Sequence, residues 1–92
     1  MILITGGAGY IGSHTVINFI NAGYDVVIFD NLENGHIETV ETLKTLGNVE
    51  FERGDLRNIE DIDKVFSKYN IDAVIHFAAF RKIRNLKLSD MS

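Results

Sequence analysis

Met1-Ile-Leu-Ile-Thr5-Gly6-Gly7-Ala8-Gly9-Tyr10-Ile11-Gly12 opens the chain. Met1 to Thr5 is too short for a helix and stops at glycine, which predicts a buried strand. From Tyr10 to Ala22 the apolar residues Ile11, Val16, Phe19 and Ile20 fall at helical spacing, and Gly23 is a natural stop. A glycine triplet, Gly6-x-x-Gly9-x-x-Gly12, thus joins a strand directly to a helix. In that setting each glycine has a physical use. Gly6 permits a tight turn, Gly9 lets the backbone approach a pyrophosphate, and Gly12 lets the helix pack close to the sheet. The free N–H groups of Tyr10 and Ile11 at the helix head would then face phosphate oxygens. The alternative is a glycine-rich turn with no ligand.

Downstream, Val26-Val27-Ile28-Phe29 in the Tyr24–Asp30 stretch is a continuous, β-branched run suited to a strand covered on both faces. It ends at Asp30, eighteen residues after Gly12. An acid about 20 residues on accepts hydrogen bonds from an adenosine ribose. Its carboxylate would repel a 2′-phosphate, and no Arg or Lys follows before Lys44, which favours NAD over NADP. Asp30 could instead only cap a loop. Asn31 to Gly35 reads as loop. Ile37, Val40 and Leu43 predict a second helix, ended by Gly47-Asn48. Val49 to Arg53 alternates as a strand with one more polar face. Asn58 is a good N-cap for a third helix with the stripe Ile59, Ile62, Val65, Phe66 and Tyr69, and Glu60, Asp61 and Asp63 lie in its first turns. Ile71 to Ala79 predicts a fourth, buried strand.

The order β-α-β-α-β-α-β, with a helix between successive strands, requires right-handed crossovers and a parallel sheet. The fold class is therefore α/β, a Rossmann-like parallel sheet with strand order 3-2-1-4, half of a doubly wound fold. Gly54-Asp55-Leu56 follows the third strand at the same carboxyl edge, where a polar residue can reach an adenine ring or merely make a turn. Phe77-Ala78-Ala79 ends the fourth strand, where small residues suit either a close cofactor or plain core packing. His14, in the first turn of its helix, is expected to be half-exposed. His76 is expected to be a hydrogen-bonded core histidine. No nucleophile–base pair is recognisable, so no catalytic residue is assigned.

Composition bounds the function. With 46% apolar and 24% charged residues the chain is an ordinary globular sequence, not a disordered one. It has no cysteine, which excludes disulfides, thiolate metal sites and a cysteine nucleophile, and no metal site is assigned. A net charge of −4 disfavours nucleic acid as a partner. No apolar run reaches the ~20 residues of a membrane span, and the N-terminus has no signal-peptide pattern, so no membrane partner and a cytoplasmic location are expected. The charge is uneven. Residues 1–80 hold five basic and twelve acidic side chains, whereas residues 81–92 hold Arg81, Lys82, Arg84 and Lys87 against Asp90. Residues 1–80 are therefore read as one dinucleotide-binding half-domain and 81–92 as a divergent basic tail.

Four segments resemble the N-terminal part of the extended short-chain dehydrogenase/reductase family. They are Met1 to Val16 (through Gly12-Ser-His-Thr-Val16), Asp30-Asn-Leu-Glu-Asn-Gly35, Gly54-Asp-Leu-Arg-Asn58 and Ile71 to Ala79. The Ser-His-Thr-Val and Asp-Asn-Leu-x-Asn-Gly wording resembles the 4-epimerase branch more than the sugar-nucleotide dehydratases. The resemblance implies bound NAD, with Gly6, Gly9, Tyr10, Ile11 and Gly12 at its pyrophosphate. It implies Asp30, Asn31, Leu32, Glu33, Asn34 and Gly35 around the adenosine ribose, and Asp55 and Leu56 beside the adenine. Phe77, Ala78, Ala79, Phe80 and Arg81 would line the cofactor, Arg81 standing where the family usually has Lys. It also implies a UDP-sugar substrate, UDP-glucose and UDP-galactose interconverting through a 4-keto intermediate in galactose metabolism, and a homodimer for the full-length enzyme.

The sequence departs from that family in two ways. The family's base is a Tyr within Tyr-x-x-x-Lys, but Tyr10, Tyr24 and Tyr69 are followed four residues on by His14, Ile28 and Ala73. After Phe80 the family wording stops, where the charge also changes sign. These departures predict a truncated or frameshifted product or an expressed fragment, catalytically incomplete alone. The alternatives are a non-catalytic nucleotide-binding remnant, another sugar-nucleotide dehydratase or epimerase, and, against the glycine-loop wording, a Rossmann-type methyltransferase.

Overall fold

A computed structural model of the chain describes residues 1–33 and 35–77. Strands β1 (Ile2–Thr5), β2 (Val26–Asp30), β3 (Val49–Arg53) and β4 (Ala73–His76) alternate with helices α1 (Tyr10–Asn21), α2 (Ile37–Lys44) and α3 (Ile59–Lys68). The sheet order is β3-β2-β1-β4 and every pair is parallel. The α/β class expected from the alternation and the 3-2-1-4 order expected of a Rossmann-like sheet are both found. β1 and β2 are central, and all nine of their residues are buried. Burying one Val or Ile side chain stabilises by roughly 1.5–3 kcal/mol, so this pair anchors the molecule.

Period-2 alternation splits the core in two. Ile2, Ile4, Val26 and Ile28 face Val16 of α1 and Val40 and Leu43 of α2. Leu3, Val27 and Phe29 face Val65 of α3 on the other side. Helix ends follow the sequence signals. Gly23, with φ of 91°, takes the left-handed conformation just past α1, and Asn58 Oδ1 accepts the Glu60 N–H at 3.0 Å at the head of α3.

Three expectations need correction. The fourth strand is shorter than Ile71 to Ala79 and is not buried: Val74 is 46% exposed, because β4 is an edge strand paired only with β1. His76 is accordingly an exposed residue, not a core histidine. The apolar stripe of α3 is only partly covered, with Ile59 72% exposed and Phe66 also exposed. α3 covers the sheet through Val65, and an open apolar groove remains between it and β4, lined by Leu3, Ile62, Phe66 and Val74. Among the described residues, no helix is long and apolar enough to cross a membrane, and no cluster of His, Asp or Glu is placed to hold a metal.

Candidate functional site

The carboxyl ends of β1, β2 and β3 meet at one edge of the sheet, and the residues singled out in the sequence converge there. The glycine loop is shaped by contacts a side chain would destroy. Gly6 has φ of 76°, a conformation glycine adopts without a Cβ penalty. A Cβ on Gly12 would stand 2.1 Å from the Gly6 carbonyl oxygen. Gly12 is therefore required by the loop's own backbone, not by helix–sheet packing as the spacing suggested. That packing role falls to Gly7, whose Cβ would meet Ile28 Cγ2 at 3.0 Å. A Cβ on Gly9 would find only the Gly6 oxygen, at 3.4 Å, so the loop is open at that position.

The loop's amides divide into used and free. Gly6 N–H donates to the Phe29 carbonyl, Gly9 N–H to Gly6, and Ser13 N–H to Gly9. Gly9, the N-cap, offers no side chain, and the N–H groups of Tyr10, Ile11 and Gly12 have no partner among the described residues. The side chains of Tyr10, 81% exposed, and Ile11 turn outward to solvent, as does His14, whose ring meets that of Tyr10 edge to face at 4.8 Å.

Asp30 is 7% exposed and turned toward the loop. Its Oδ2 accepts the Ala8 N–H at 3.1 Å and its Oδ1 the Leu32 N–H at 2.8 Å. A carboxylate accepts at about four sites, so two remain for other donors. The second of these bonds holds Leu32 at φ of 64°, an uncommon conformation for a residue with a branched side chain. The loop then folds back on the glycine turn. His36 N–H donates to the Ala8 carbonyl at 3.3 Å, and a Cβ on Gly35 would stand 2.7 Å from that of Ala8. Ala8, to which the glycine pattern assigns no role, is thus the hinge pin between glycine loop and β2 loop.

Beyond Asp30 lies a polar rim. Asn31 Nδ2 donates to Glu33 Oε2 at 3.1 Å, and Glu33 N–H donates to Asn31 Oδ1 at 2.9 Å. Gly54 N–H donates to the Asp30 carbonyl at 3.2 Å, which brings Asp55 and Leu56 alongside. Arg57, unassigned by sequence spacing, clasps Asp55 through Nη2 at 2.6 Å and Nε at 3.0 and 3.2 Å. The guanidinium holds the Asp55 carboxyl well below the usual carboxylate range. The signal was available in Asp55-Leu-Arg57, but residue type alone does not tell an Arg that binds a neighbour from one that faces water.

At the β4 end, buried Thr5 Oγ1 shares a 2.7 Å hydrogen bond with His76 Nδ1, and Phe77 N–H donates to the Thr5 carbonyl. The Phe77 side chain packs against the core on the α1 face. Asn34, Ala78, Ala79, Phe80, Arg81 and the basic tail lie outside the described residues.

Comparison with known proteins agrees with the motifs. A family model described as GDP-mannose 4,6 dehydratase matches residues 3–86. The chain is 48% identical over 88 residues to a bifunctional UDP-glucose 4-epimerase and UDP-xylose 4-epimerase of Pisum sativum, covering 89% of this chain and 25% of the pea protein. It is similar to the crystal structure of UDP-glucose 4-epimerase from Bifidobacterium longum in complex with NAD+ and UDP. The TM-score is 0.79 and the identity 42%, over 84% of this chain and 24% of that one. A dTDP-glucose 4,6-dehydratase from Bacillus anthracis, solved in complex with NAD, is similar at TM-score 0.75 and 31% identity, over 84% and 26% of the two chains. The chain spans about a quarter of the length of the relatives it matches.

Proposed function

This chain belongs to the GDP-mannose 4,6 dehydratase family, and we propose that it forms the NAD-binding part of a UDP-glucose 4-epimerase. The observation that carries the reading is the hydrogen bond from Ala8 to Asp30. It sets a carboxylate with two open acceptor sites beside a glycine turn whose next three amides are unpartnered. Those amides at the head of α1 suit the pyrophosphate, because partial positive charge collects there. The free lone pairs of Asp30 suit the two hydroxyls of a ribose, and its charge disfavours a 2′-phosphate. Asp55 and Leu56 stand where the adenine would lie, with Asn31 to Gly35 around the ribose. Phe77 to Arg81 would continue the lining toward the nicotinamide.

When bound, NAD supplies a hydride acceptor that can return the hydride to the sugar. The residues of this chain bind and orient it. The proton acceptor for the sugar hydroxyl, a Tyr within Tyr-x-x-x-Lys, does not occur in these 92 residues, so no epimerisation of UDP-galactose is expected from them alone. The same reading places the whole enzyme in the cytoplasm, as a homodimer acting on a UDP-sugar in galactose metabolism, without nucleic-acid or membrane partners. It makes residues 1–80 the dinucleotide-binding half-domain. Identity to the epimerases (42% and 48%) above that to the dehydratase (31%) supports the first over the second.

Calorimetry with NAD, NADP and S-adenosylmethionine tests this. NAD is expected to bind, NADP at least about tenfold more weakly, and S-adenosylmethionine not at all. Gly9→Ala is the decisive variant. Gly9 has φ of −83° and room for a Cβ, so the variant folds, yet the methyl sits where the pyrophosphate must approach. Equal NAD affinity in the wild type and Gly9→Ala would falsify the placement.

A further inference from the structure

The two faces of β4 are not covered alike. On the α1 face, Ile75 and Phe77 pack against the core. On the α3 face, Val74 is exposed beside Leu3, its partner across the sheet. The groove there has Leu3, Val74 and His76 along its floor and Ile62, Val65 and Phe66 of α3 as its wall. Ile59 extends that wall, three residues before Ile62 and seven before Phe66, on the same side of the helix. Ile59, Phe66 and Val74 all face solvent, and large apolar side chains grouped in this way mark a surface that something covers.

Charge on α3 is sorted by flank. On the β3 flank, Lys68 Nζ donates to Glu52 at 2.8 Å, and the Lys64 charge is felt by the same carboxyl. On the groove flank stands Asp63, four residues after Ile59 and three before Phe66. It is exposed and in no ion pair among the described residues. The groove is therefore apolar inside and acidic along its outer lip.

The chain itself carries the complement. β4 ends in the groove at His76, and the chain leaves it through Phe77. Further on, Ile83, Leu86 and Leu88 are set among Arg81, Lys82, Arg84 and Lys87. Basic side chains lay their methylene stems on apolar surface and keep their charge at its edge. Even wound as a helix, at about 1.5 Å per residue, residues 82–92 are long enough to run beside the ten residues of α3. Tethering at the end of the groove gives this segment a high local concentration there.

We propose that residues 82–92 dock along the groove between α3 and β4, with Ile83, Leu86 and Leu88 against Ile62, Phe66 and Val74 and the basic side chains at the Asp63 lip. The change of charge at residue 81 then has a structural use, since it matches the segment to the face it covers. A second copy of the chain fits the groove less well, because two copies meeting groove to groove would bring their acidic lips together.

The chain has no cysteine, so a pair of thiols can be introduced without background. Ser67→Cys with Asn85→Cys puts one thiol on the Asp63 flank of α3 and one on the segment, sparing every apolar side chain named. Glu41→Cys with Asn85→Cys is the control, since exposed Glu41 lies on α2, across the sheet. A short bismaleimide, added to the dilute 92-residue chain without cofactor, should join the first pair within one chain at least about fivefold faster than the second. Leu86→Asp should bring the two rates to within about twofold and lower the melting temperature by about 5 °C. Leu86→Ser is the milder substitute should the acid hinder folding, and thermal unfolding confirms that each variant is folded. Equal rates for the two pairs with Leu86 in place overturn the docking. So does a preference that survives Leu86→Asp undiminished. Cross-linking chiefly between chains overturns it as well, and gives the groove to a second copy.

Discussion

The glycine loop and the β2–β3 rim sit at the same edge of the sheet and are built from different materials. The loop is backbone: Gly6 donates to Phe29, Gly9 to Gly6, and Gly12 lies against the Gly6 carbonyl with no space for another atom. The rim is side chain: Asn31 with Glu33, and Asp55 with Arg57, all in contact with water to some degree. Backbone geometry is shared with the fold, so a change at a crowded loop position such as Gly12 is felt as lost stability, whereas the open position at Gly9 tolerates a methyl. Side-chain pairs at a wet surface contribute little to stability, typically 0–1 kcal/mol each. A change in the rim should instead be felt as altered selectivity. Asp30 belongs to both, since its carboxylate is a side chain whose partners are backbone amides.

Gly12→Ala probes the loop most severely. A methyl 2.1 Å from the Gly6 oxygen and 2.9 Å from the Gly7 Cα cannot be relieved by rotating a flexible side chain, because both obstacles are backbone. We expect a loss of about 3 kcal/mol, a large share of what a small domain has. The urea midpoint should fall accordingly, and NAD binding with it. An unchanged midpoint would mean that the loop is softer than its contacts imply. Asp30→Ala should cost less, about 2 kcal/mol, by stranding the buried Ala8 N–H and releasing Leu32 from its left-handed turn. Asp30→Asn keeps one acceptor oxygen and should recover roughly half of that in thermal unfolding. Equal losses for the two variants would mean that the amides, not the acid, hold the loop.

Much of this was readable from residue order, and the failures share a cause. The four strands, three helices and Asn58 cap follow from periodicity and end signals, which are local. The convergence of the loop with Asp30 follows from topology. Burial of the fourth strand did not follow. Ala73-Val-Ile-His76 looks like a core strand in letters, yet edge position leaves it exposed, and pairing partners are not written into a strand's own residues. The three-residue rhythm of Ile59 and Ile62 similarly predicts a covered α3, whereas Val65 alone is buried. Gly12 was recognised for the wrong neighbour, since spacing identifies a crowded position but not what crowds it. Arg57 was passed over because its meaning lies in a short contact with Asp55, two residues away.

The smallest of these effects separates side-chain from backbone construction by pH. On the β3–α3 side, Glu52 Oε2 accepts from Lys68 Nζ at 2.8 Å and from the Tyr69 hydroxyl at 2.6 Å. Partial burial raises the Glu52 pKa, but the hydrogen bonds from Lys68 and Tyr69 and the nearby lysine charges together outweigh it, so the carboxyl titrates below the ordinary glutamate value. A carboxyl more acidic in the folded than in the unfolded chain stabilises the fold above its unfolded pKa. That contribution is lost as pH falls through the lower, folded value. Glu52→Gln should therefore be less stable than the wild type at pH 7, by about 0.5–1 kcal/mol. The two proteins should converge in thermal unfolding as pH drops below 4.5. The amide–carbonyl bonds of the glycine loop do not titrate, so the Gly12→Ala deficit should persist across the same range. Should the Glu52→Gln difference stay constant with pH, the pair would be acting through packing of the Lys68 and Tyr69 side chains rather than through charge, and the two modes of construction would not divide along backbone and side chain.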